Sequence, residues 1–262
     1  GIFFNDLTKA YNNEEIESEI INGFEYSLIE EKTSVSEVSE KFFKKQFGQD
    51  IESTVLTPNM NGNPDIGNIK LVSDQISSNF VRLFCKDHSV SSNVLFMAAT
   101  LLSLNKFTFS DKSLITTIFN GRANSNYSNT QGMLVKTLPI IVNGENRDML
   151  VEDYVKIVDK AWKDALIHSD YPYTKLSEDY QLKPEFFYAY HEFLGSDEIK
   201  INNKEYIPQE LAGFYMVTVE SKINLAIYDD GDEFNVILEY NDQLYSEGYV
   251  RIFLESMKKI LA

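Results

Sequence analysis

The most distinctive stretch of the sequence is His168-Ser169-Asp170-Tyr171-Pro172-Tyr173, which directly follows the helix that the sequence predicts most clearly. That helix is indicated by apolar residues at helical spacing: Leu150, Tyr154, Ile157, Val158, Ala161, Trp162 and Ala165. From the residues alone, the stretch is typical of a helix C-terminus. His168 suits the negative end of the helix dipole, and Pro172 stops a helix. The alternative is that His168 contacts a substrate.

Downstream of this stretch the sequence predicts a series of strands. An aromatic strand is expected at residues 186–193, and three more at residues 214–219, 223–228 and 234–240. The last two flank Asp229-Asp230-Gly231-Asp232, which predicts a hairpin turn because glycine accepts a positive φ. A final amphipathic helix carries Tyr249, Ile252, Phe253, Met257 and Ile260.

Upstream, helices alternate with strands. The chain reads as helical to about Gln46, as a loop over residues 48–67, and then as two helices, the second capped by Ser91. Strands are predicted at residues 115–119 and 134–142, joined by a polar loop. The predicted fold class is therefore α/β, an α+β sandwich with helices packed on a mixed, mostly antiparallel sheet.

Composition narrows the possible partners. The net charge is −16 and the isoelectric point about 4.6, which argues against nucleic acid and against anionic membranes as partners. No apolar run reaches the roughly 20 residues of a membrane span, and no signal peptide opens the chain. Cys85 is the single cysteine, so no intrachain disulfide can form and a cytoplasmic location is expected.

The residues alone supply no complete catalytic set. Cys85 and His88 could share a helical face as a nucleophile pair, but a cysteine in an apolar stripe favours a core role. One cysteine and three scattered histidines cannot form a recognisable zinc site, so no metal is expected. Neither a glycine-rich phosphate loop nor a Gly-x-Ser-x-Gly elbow is present.

The stretch from His168 to Thr174 also resembles the His-Gln-Asp-Tyr-Pro-Phe-Glu motif of condensation domains from nonribosomal peptide synthetases. Gly121-Arg122, a loop, and then residues 132–139 (GMLVKTLP) are similar to that family's Gly-Arg and Gly-x-Phe-Val-Asn-Thr-Leu-Pro. Two further stretches, residues 90–104 and 238–245, resemble the family in the same order. Lys136 departs from the family, which has Asn there.

The resemblance implies a chloramphenicol-acetyltransferase-like lobe, the C-terminal one of a condensation domain. Residues 1–67 would be connecting helices and a linker, and residues 68–262 the lobe. The family's catalytic motif, His-His-x-x-x-Asp-Gly, lies on the N-terminal lobe, and no His-His pair occurs in this chain. Gly1 is either the last glycine of that motif or a remnant of tag removal, and we expect the chain to be inactive alone.

For function, the resemblance implies amide formation between a carrier-bound thioester donor and an aminoacyl acceptor. The second motif histidine would orient or deprotonate the acceptor amine. Residues near the substrate tunnel would be Gly121, Arg122, Lys136 and Thr137, and the loop over residues 122–131 would form part of its floor. Structural roles in the motif are implied for His168, Asp170, Tyr171 and Pro172.

No cofactor is expected to bind directly, because phosphopantetheine arms of carrier proteins bring the substrates. The implied partners are the N-terminal lobe and the upstream and downstream carrier proteins. Three alternatives stay open: an epimerization-domain lobe, a stand-alone acyltransferase of the same superfamily, and a non-catalytic lobe that docks a carrier. The epimerization pattern Gly-Trp-Phe-Thr is replaced here by Gly132-Met133-Leu134-Val135, which favours condensation.

Overall fold

The computed structural model describes residues 2–48, 54–110, 112–122, 125–143, 149–183, 185–192, 199–201, 204–206 and 222–261. The chain forms two compact units. One unit comprises residues 1–34, 120–136 and 194–216, and the other comprises residues 35–119, 137–193 and 217–262. The division at residue 67 that the sequence suggests stays a prediction.

The helices of the described residues are α1 (Ile2–Tyr11), α2 (Gly23–Lys32), α3 (Glu37–Phe47), α4 (Ser78–His88), α5 (Ser92–Thr108), α6 (Val151–Ile167), α7 (Tyr173–Tyr180) and α8 (Glu247–Leu261). The strands are β1 (Ile69–Ser77), β2 (Lys112–Phe119), β3 (Lys136–Asn143), β4 (Phe186–His191), β5 (Ile199–Ile201), β6 (Lys204–Tyr206), β7 (Ile223–Asp229) and β8 (Glu233–Asn241).

Six strands form one sheet in the order β1-β8-β7-β4-β2-β3, and β5 pairs with β6 separately. The pairs β1–β8 and β7–β8 are antiparallel, whereas β4–β7 and β2–β4 are parallel. Leu225 of β7 is the register partner of Leu238 on one side and of Tyr188 on the other. The predicted fold class is confirmed, because the sheet is mixed and carries helices.

The main core of the second unit lies between this sheet and helices α4, α5, α6 and α8. Helix α5 is buried almost all round from Val94 to Leu104, which is typical of a central helix. Each fully buried large apolar side chain contributes about 1.5–3 kcal/mol. Representative members are Val94, Leu101, Ile115, Ile140, Val158, Tyr188, Leu225, Val236, Phe253 and Met257.

A smaller core lies on the opposite face of strand β2. Side chains alternate along a strand, so Ile115 joins the main core while Leu114 points the other way. There Leu114 packs with residues from α3, from α7 and from the segments beside α7: Phe43, Phe47, Tyr171, Leu176 and Leu182. Strand β2 is therefore covered on both faces, which explains its nearly continuous apolar and β-branched sequence.

The predicted hairpin is present between β7 and β8. Gly231 has a φ of 97°, and the backbone N–H of Asp230 donates to the carbonyl of Glu233 at 3.1 Å. The positive φ is the reason for glycine at this position.

Four of the described helices and strands, β1, β5, β6 and α7, were not predicted from the sequence, and one prediction cannot be compared. Strand β1 lies at the edge of the sheet, and helix α7 begins directly after Pro172. Pro172 was expected to close the helical region, but its extended backbone starts a new helix instead. The strand predicted at residues 214–219 lies outside the described residues.

Within the first unit, α2 and the loop over residues 120–136 are fixed by polar contacts. The side chain of Asn22 caps α2, and Glu25 accepts a hydrogen bond from the Asn22 N–H at 3.0 Å, which completes a capping box. The hydroxyl of Thr130 donates to the carbonyl of Ile21. The loop is thereby attached to the residue that precedes the α2 cap.

Candidate functional site

Arg122 organises the loop that follows β2. Its Nη2 donates to the carbonyls of Thr130 at 3.1 Å and Gly132 at 3.0 Å, and its Nη1 donates to the carbonyl of Asn120 at 3.2 Å. Three carbonyls from two segments thus bind one planar guanidinium, a geometry that lysine cannot reproduce.

Gly121 precedes this arginine in a conformation that disfavours any other residue. Its φ is +70°, and a Cβ atom at this position would overlap the carbonyl oxygen of Leu134. The Gly-Arg pair is therefore required both for the turn of the backbone and for the position of the guanidinium.

Lys136 lies beside a tyrosine–glutamate pair on α2. Its Nζ is 3.5 Å from Oε1 of Glu30, and the same oxygen accepts a hydrogen bond from the Tyr26 hydroxyl at 2.8 Å. Glu30 remains nearly half exposed, and the side chain of Lys136 is about a quarter exposed. Solvent can therefore reach this charged pair.

Tyr26 connects this pair to the loop. Its ring contacts Tyr127 edge-on, with 5.0 Å between ring centroids. Burial raises the pKa of Tyr26, and the hydrogen bond to Glu30 raises it further, while Arg122 acts in the opposite direction. Of the predicted tunnel residues, Lys136 therefore contacts the Tyr26–Glu30 pair, and Arg122 is near enough to influence the Tyr26 hydroxyl.

The fourth predicted tunnel residue, Thr137, follows Lys136 in β3 and is half-buried. The assignment of Gly121, Arg122, Lys136 and Thr137 to a tunnel stays a prediction.

The His168 and Asp170 side chains converge on the start of α3. Asp170 accepts hydrogen bonds from the Ser36 N–H at 2.9 Å and from the Ser39 hydroxyl at 2.5 Å. Because Ser39 donates its one hydrogen to Asp170, Nδ1 of His168, 2.9 Å away, must donate to Ser39. Burial alone would raise the pKa of Asp170, but the hydrogen bonds from Ser39 and Ser36 outweigh it and lower that pKa.

The other motif residues also make local contacts. Tyr171 is buried against Phe43, and its hydroxyl donates to Asp179 of α7 at 2.5 Å. Pro172 supplies the extended residue before α7. His168 itself stacks on Phe42 with ring centroids 4.1 Å apart. These contacts join α3, α6 and α7, and the structural role implied for the four motif residues stays a prediction.

Cys85 and His88 do not combine into a nucleophilic pair. Cys85 is buried, its Sγ donates to the Ser92 hydroxyl at 3.9 Å, and burial raises the pKa of its thiol. His88 instead stacks on Phe84 and lies 3.9 Å from Glu152. A thiol with a raised pKa is a poor nucleophile, so Cys85 is a core residue.

A polar cleft of about 320 Å³ lies where β4 and β7 end, beside the start of α5. Arg82 donates to Asp229 at 2.7 Å, and Tyr190 donates to the same carboxylate at 3.2 Å. Arg82 also binds the carbonyl of Gly231 at 2.9 Å. Arg82 and Tyr190 therefore both bind Asp229, and Arg82 links α4 to the hairpin.

Within the described ranges, no group of three or more His, Cys, Asp or Glu side chains is placed to hold a metal ion. Among the described helices, none is both long and apolar enough to cross a bilayer.

Tyr26 and Glu30 are the site residues that sequence reasoning missed. Their spacing of four residues places both on one side of a helix, and the N-cap and capping-box pattern at Asn22 and Glu25 marks that helix. This local signal could have identified α2, but its long-range partner at Lys136 has no sequence signature.

Comparison with known proteins gives one consistent result. A family model described as a condensation domain matches residues 1–262. Among solved structures, the condensation domain of the monacolin K polyketide synthase MokA is similar, with a TM-score of 0.83 and 14% identity over 99% of this chain and 64% of that chain. The epimerization domain of tyrocidine synthetase B gives a TM-score of 0.75 and 14% identity over 99% and 64%.

A third similar structure is the X-domain from teicoplanin biosynthesis in complex with OxyB, with a TM-score of 0.77 and 17% identity over 99% of this chain and 62% of that chain. At such low identities the likeness shows the fold. The chain spans less than two thirds of the length of each of these structures.

Proposed function

This chain belongs to the condensation-domain family, and we propose that it forms one wall of the tunnel in which such a domain makes an amide bond. The donor would be an aminoacyl or peptidyl thioester, and the acceptor an aminoacyl group. Each would arrive on the phosphopantetheine arm of a carrier protein, so the arms serve as substrates and no further cofactor is required.

The reaction balances without an external reactant. The acceptor nitrogen attacks the donor carbonyl, a C–N bond forms, the C–S bond breaks and the donor arm leaves as a thiol. The amine must lose a proton, and the thiolate takes one up. Positioning both arms supplies much of the rate, and a histidine from the other lobe would orient the amine or accept its proton.

The observation that carries the proposal is the Gly121-Arg122 turn. It combines a positive φ that requires glycine with a guanidinium that binds three backbone carbonyls. Lys136 lies beside the Tyr26–Glu30 pair of the same unit. Residues at these spacings match the family's sequence pattern. In this proposal the loop forms part of the tunnel floor, and His168 and Asp170 hold the scaffold around it.

Two alternatives keep some support. The fold is shared with an epimerization domain at a TM-score of 0.75, although the sequence Gly132-Met133-Leu134-Val135 differs from the epimerization pattern. A related X-domain forms a complex with OxyB, so a non-catalytic lobe that binds a protein is the other alternative. Both predict that no amide forms.

The test uses a protein extended upstream through the His-His-x-x-x-Asp-Gly motif, incubated with loaded donor and acceptor carriers. We expect amide product, detected by mass spectrometry, and its loss when the second motif histidine is replaced by Ala. His88→Ala is the matched control, since His88 stacks on Phe84 and is not one of the proposed tunnel residues. If the upstream sequence contains no His pair, or if no pair of carriers gives product, the docking alternative is favoured.

A further inference from the structure

The Lys136–Glu30 pair separates this chain from the family pattern, because an ammonium takes the place of a neutral asparagine. We propose that Lys136 determines specificity for an amino acid with a carboxylate side chain, which replaces Glu30 as the partner of the ammonium. The inference rests on the proposed function, since it assigns a substrate class to the same tunnel.

The existing pair is weak enough to be exchanged. Its N–O distance is 3.5 Å, both side chains are partly exposed, and Oε1 of Glu30 already accepts the shorter bond from Tyr26. Ion pairs that solvent reaches contribute little to stability. A substrate carboxylate can therefore displace Glu30 from Lys136, while Glu30 keeps its hydrogen bond to Tyr26.

A second cation, Arg122, lies near the pair. Arg122 is held rigidly by backbone carbonyls, and it is close enough to Tyr26 to influence that hydroxyl. Lys136 is 3.5 Å from Glu30. Two further carboxylates approach the loop, because Glu19 accepts from the Gln131 N–H and Asp6 accepts from the Gln131 side chain at 2.8 Å. Within the described part of the chain, Nε of Arg122 is buried and has no hydrogen-bond partner. An amine-bearing side chain would be repelled by Lys136, whereas a carboxylate would be attracted to Lys136 in competition with Glu30.

The preference for a carboxylate can be measured by comparing each acidic amino acid with its neutral isostere. In the extended protein, amide formation is compared for Asp against Asn and for Glu against Gln, loaded first on the acceptor carrier and then on the donor carrier. The two loadings show which amino acid Lys136 contacts. We expect kcat/KM to favour the acid over its amide by roughly fivefold to thirtyfold on one carrier.

Two variants test the residue directly. Lys136→Asn restores the family residue. It should bring the ratio of kcat/KM for the acid to kcat/KM for its amide, the acid-to-amide ratio, close to one. Glu30→Gln, which removes the competing carboxylate with little change of shape, should increase the ratio. Lys41→Asn is the matched control, because it breaks an exposed Lys–Glu pair with Glu37 at 3.2 Å in α3 and should leave the ratio unchanged.

The outcomes separate this inference from the proposed function. Amide formation with no preference for the acid, or a preference that survives in a folded Lys136→Asn protein, overturns the inference alone. If Lys136→Asn fails to fold, a ratio that does not increase in Glu30→Gln overturns it instead. Absence of amide from every carrier pair overturns the proposed function and the inference together.

Discussion

At the scale of single residues, Gly121 carries the strictest requirement. Its φ of +70° and the proximity of the Leu134 carbonyl leave no room for a side chain. We expect Gly121→Ala to lower the free energy of unfolding by about 2 kcal/mol or more, measured by chemical denaturation.

Gly248 gives the matched control for this substitution. It lies in the first turn of α8, and a Cβ atom there would have no neighbour within 4 Å. Gly248→Ala should therefore leave stability unchanged or raise it by up to about 1 kcal/mol. Equal effects of the two substitutions would contradict the role assigned to Gly121.

Glu239 is a carboxyl group buried within the sheet. Asn224, its register partner on β7, donates to Oε2 at 3.3 Å. Burial raises the pKa of Glu239, and the hydrogen bond from Asn224 offsets only part of that rise. The folded chain therefore holds this proton more tightly than the unfolded chain does.

The pH dependence of stability follows from that sign. An unfolded glutamate has a pKa of about 4.3. As the pH rises from that value through the raised pKa of the folded state, ionisation of Glu239 lowers the free energy of unfolding. Glu239→Gln should remove this cost. The free energy of unfolding of the variant, measured in urea, should therefore rise relative to that of the wild type as the pH increases across that window. The exposed residue Glu31, changed to Gln, is the control. A difference in the free energy of unfolding between Glu239→Gln and the wild type that does not vary with pH would refute the prediction.

At the scale of elements, the contacts of Asp170 fix the start of α3 to the end of α6. Asp170→Ala removes hydrogen bonds to Ser36 and Ser39 and leaves both donors without this acceptor. Hydrogen bonds to charged groups contribute about 1.5–3 kcal/mol. We therefore expect the free energy of unfolding, measured by thermal unfolding, to fall by that amount. Asp87→Ala, which alters an exposed carboxylate on α4, should change stability little. Similar losses in both variants would argue against this role.

Helices with apolar periodicity and caps could be predicted from the sequence. For α5, Ser91 was correctly identified as the cap, and its hydroxyl accepts from the Val94 N–H at 3.2 Å. Strand β1 was missed because an edge strand with a solvent-facing side carries charged residues such as Lys70 and Asp74 among its apolar ones. Helix α7 was missed because Pro172 indicates a stop as readily as a start.

The candidate site could be predicted only where the chain itself carries the pattern. Gly121, Arg122 and Lys136 belong to a recognisable sequence motif. Tyr26 and Glu30 lie about a hundred residues upstream, and only tertiary packing brings them to Lys136. Likewise, the bond from Ser39 to Asp170 joins residues 131 positions apart, a pairing that single-sequence periodicity does not encode.

At the scale of the whole molecule, we propose that this chain is one wall of an amide-forming domain. Its family membership and fold agree with that role, and the chain covers about three fifths of the length of the structures it resembles. Three histidines are present and none adjoins another, so in this proposal the motif histidine would belong to another part of the protein.

The most direct test compares this chain with the protein extended upstream through the His-His motif, in one assay with the same loaded carriers. The account predicts an amide product from the extended protein and none above background from this chain alone. Product from this chain at a comparable rate, or none from the extended protein with any carrier pair, would contradict it.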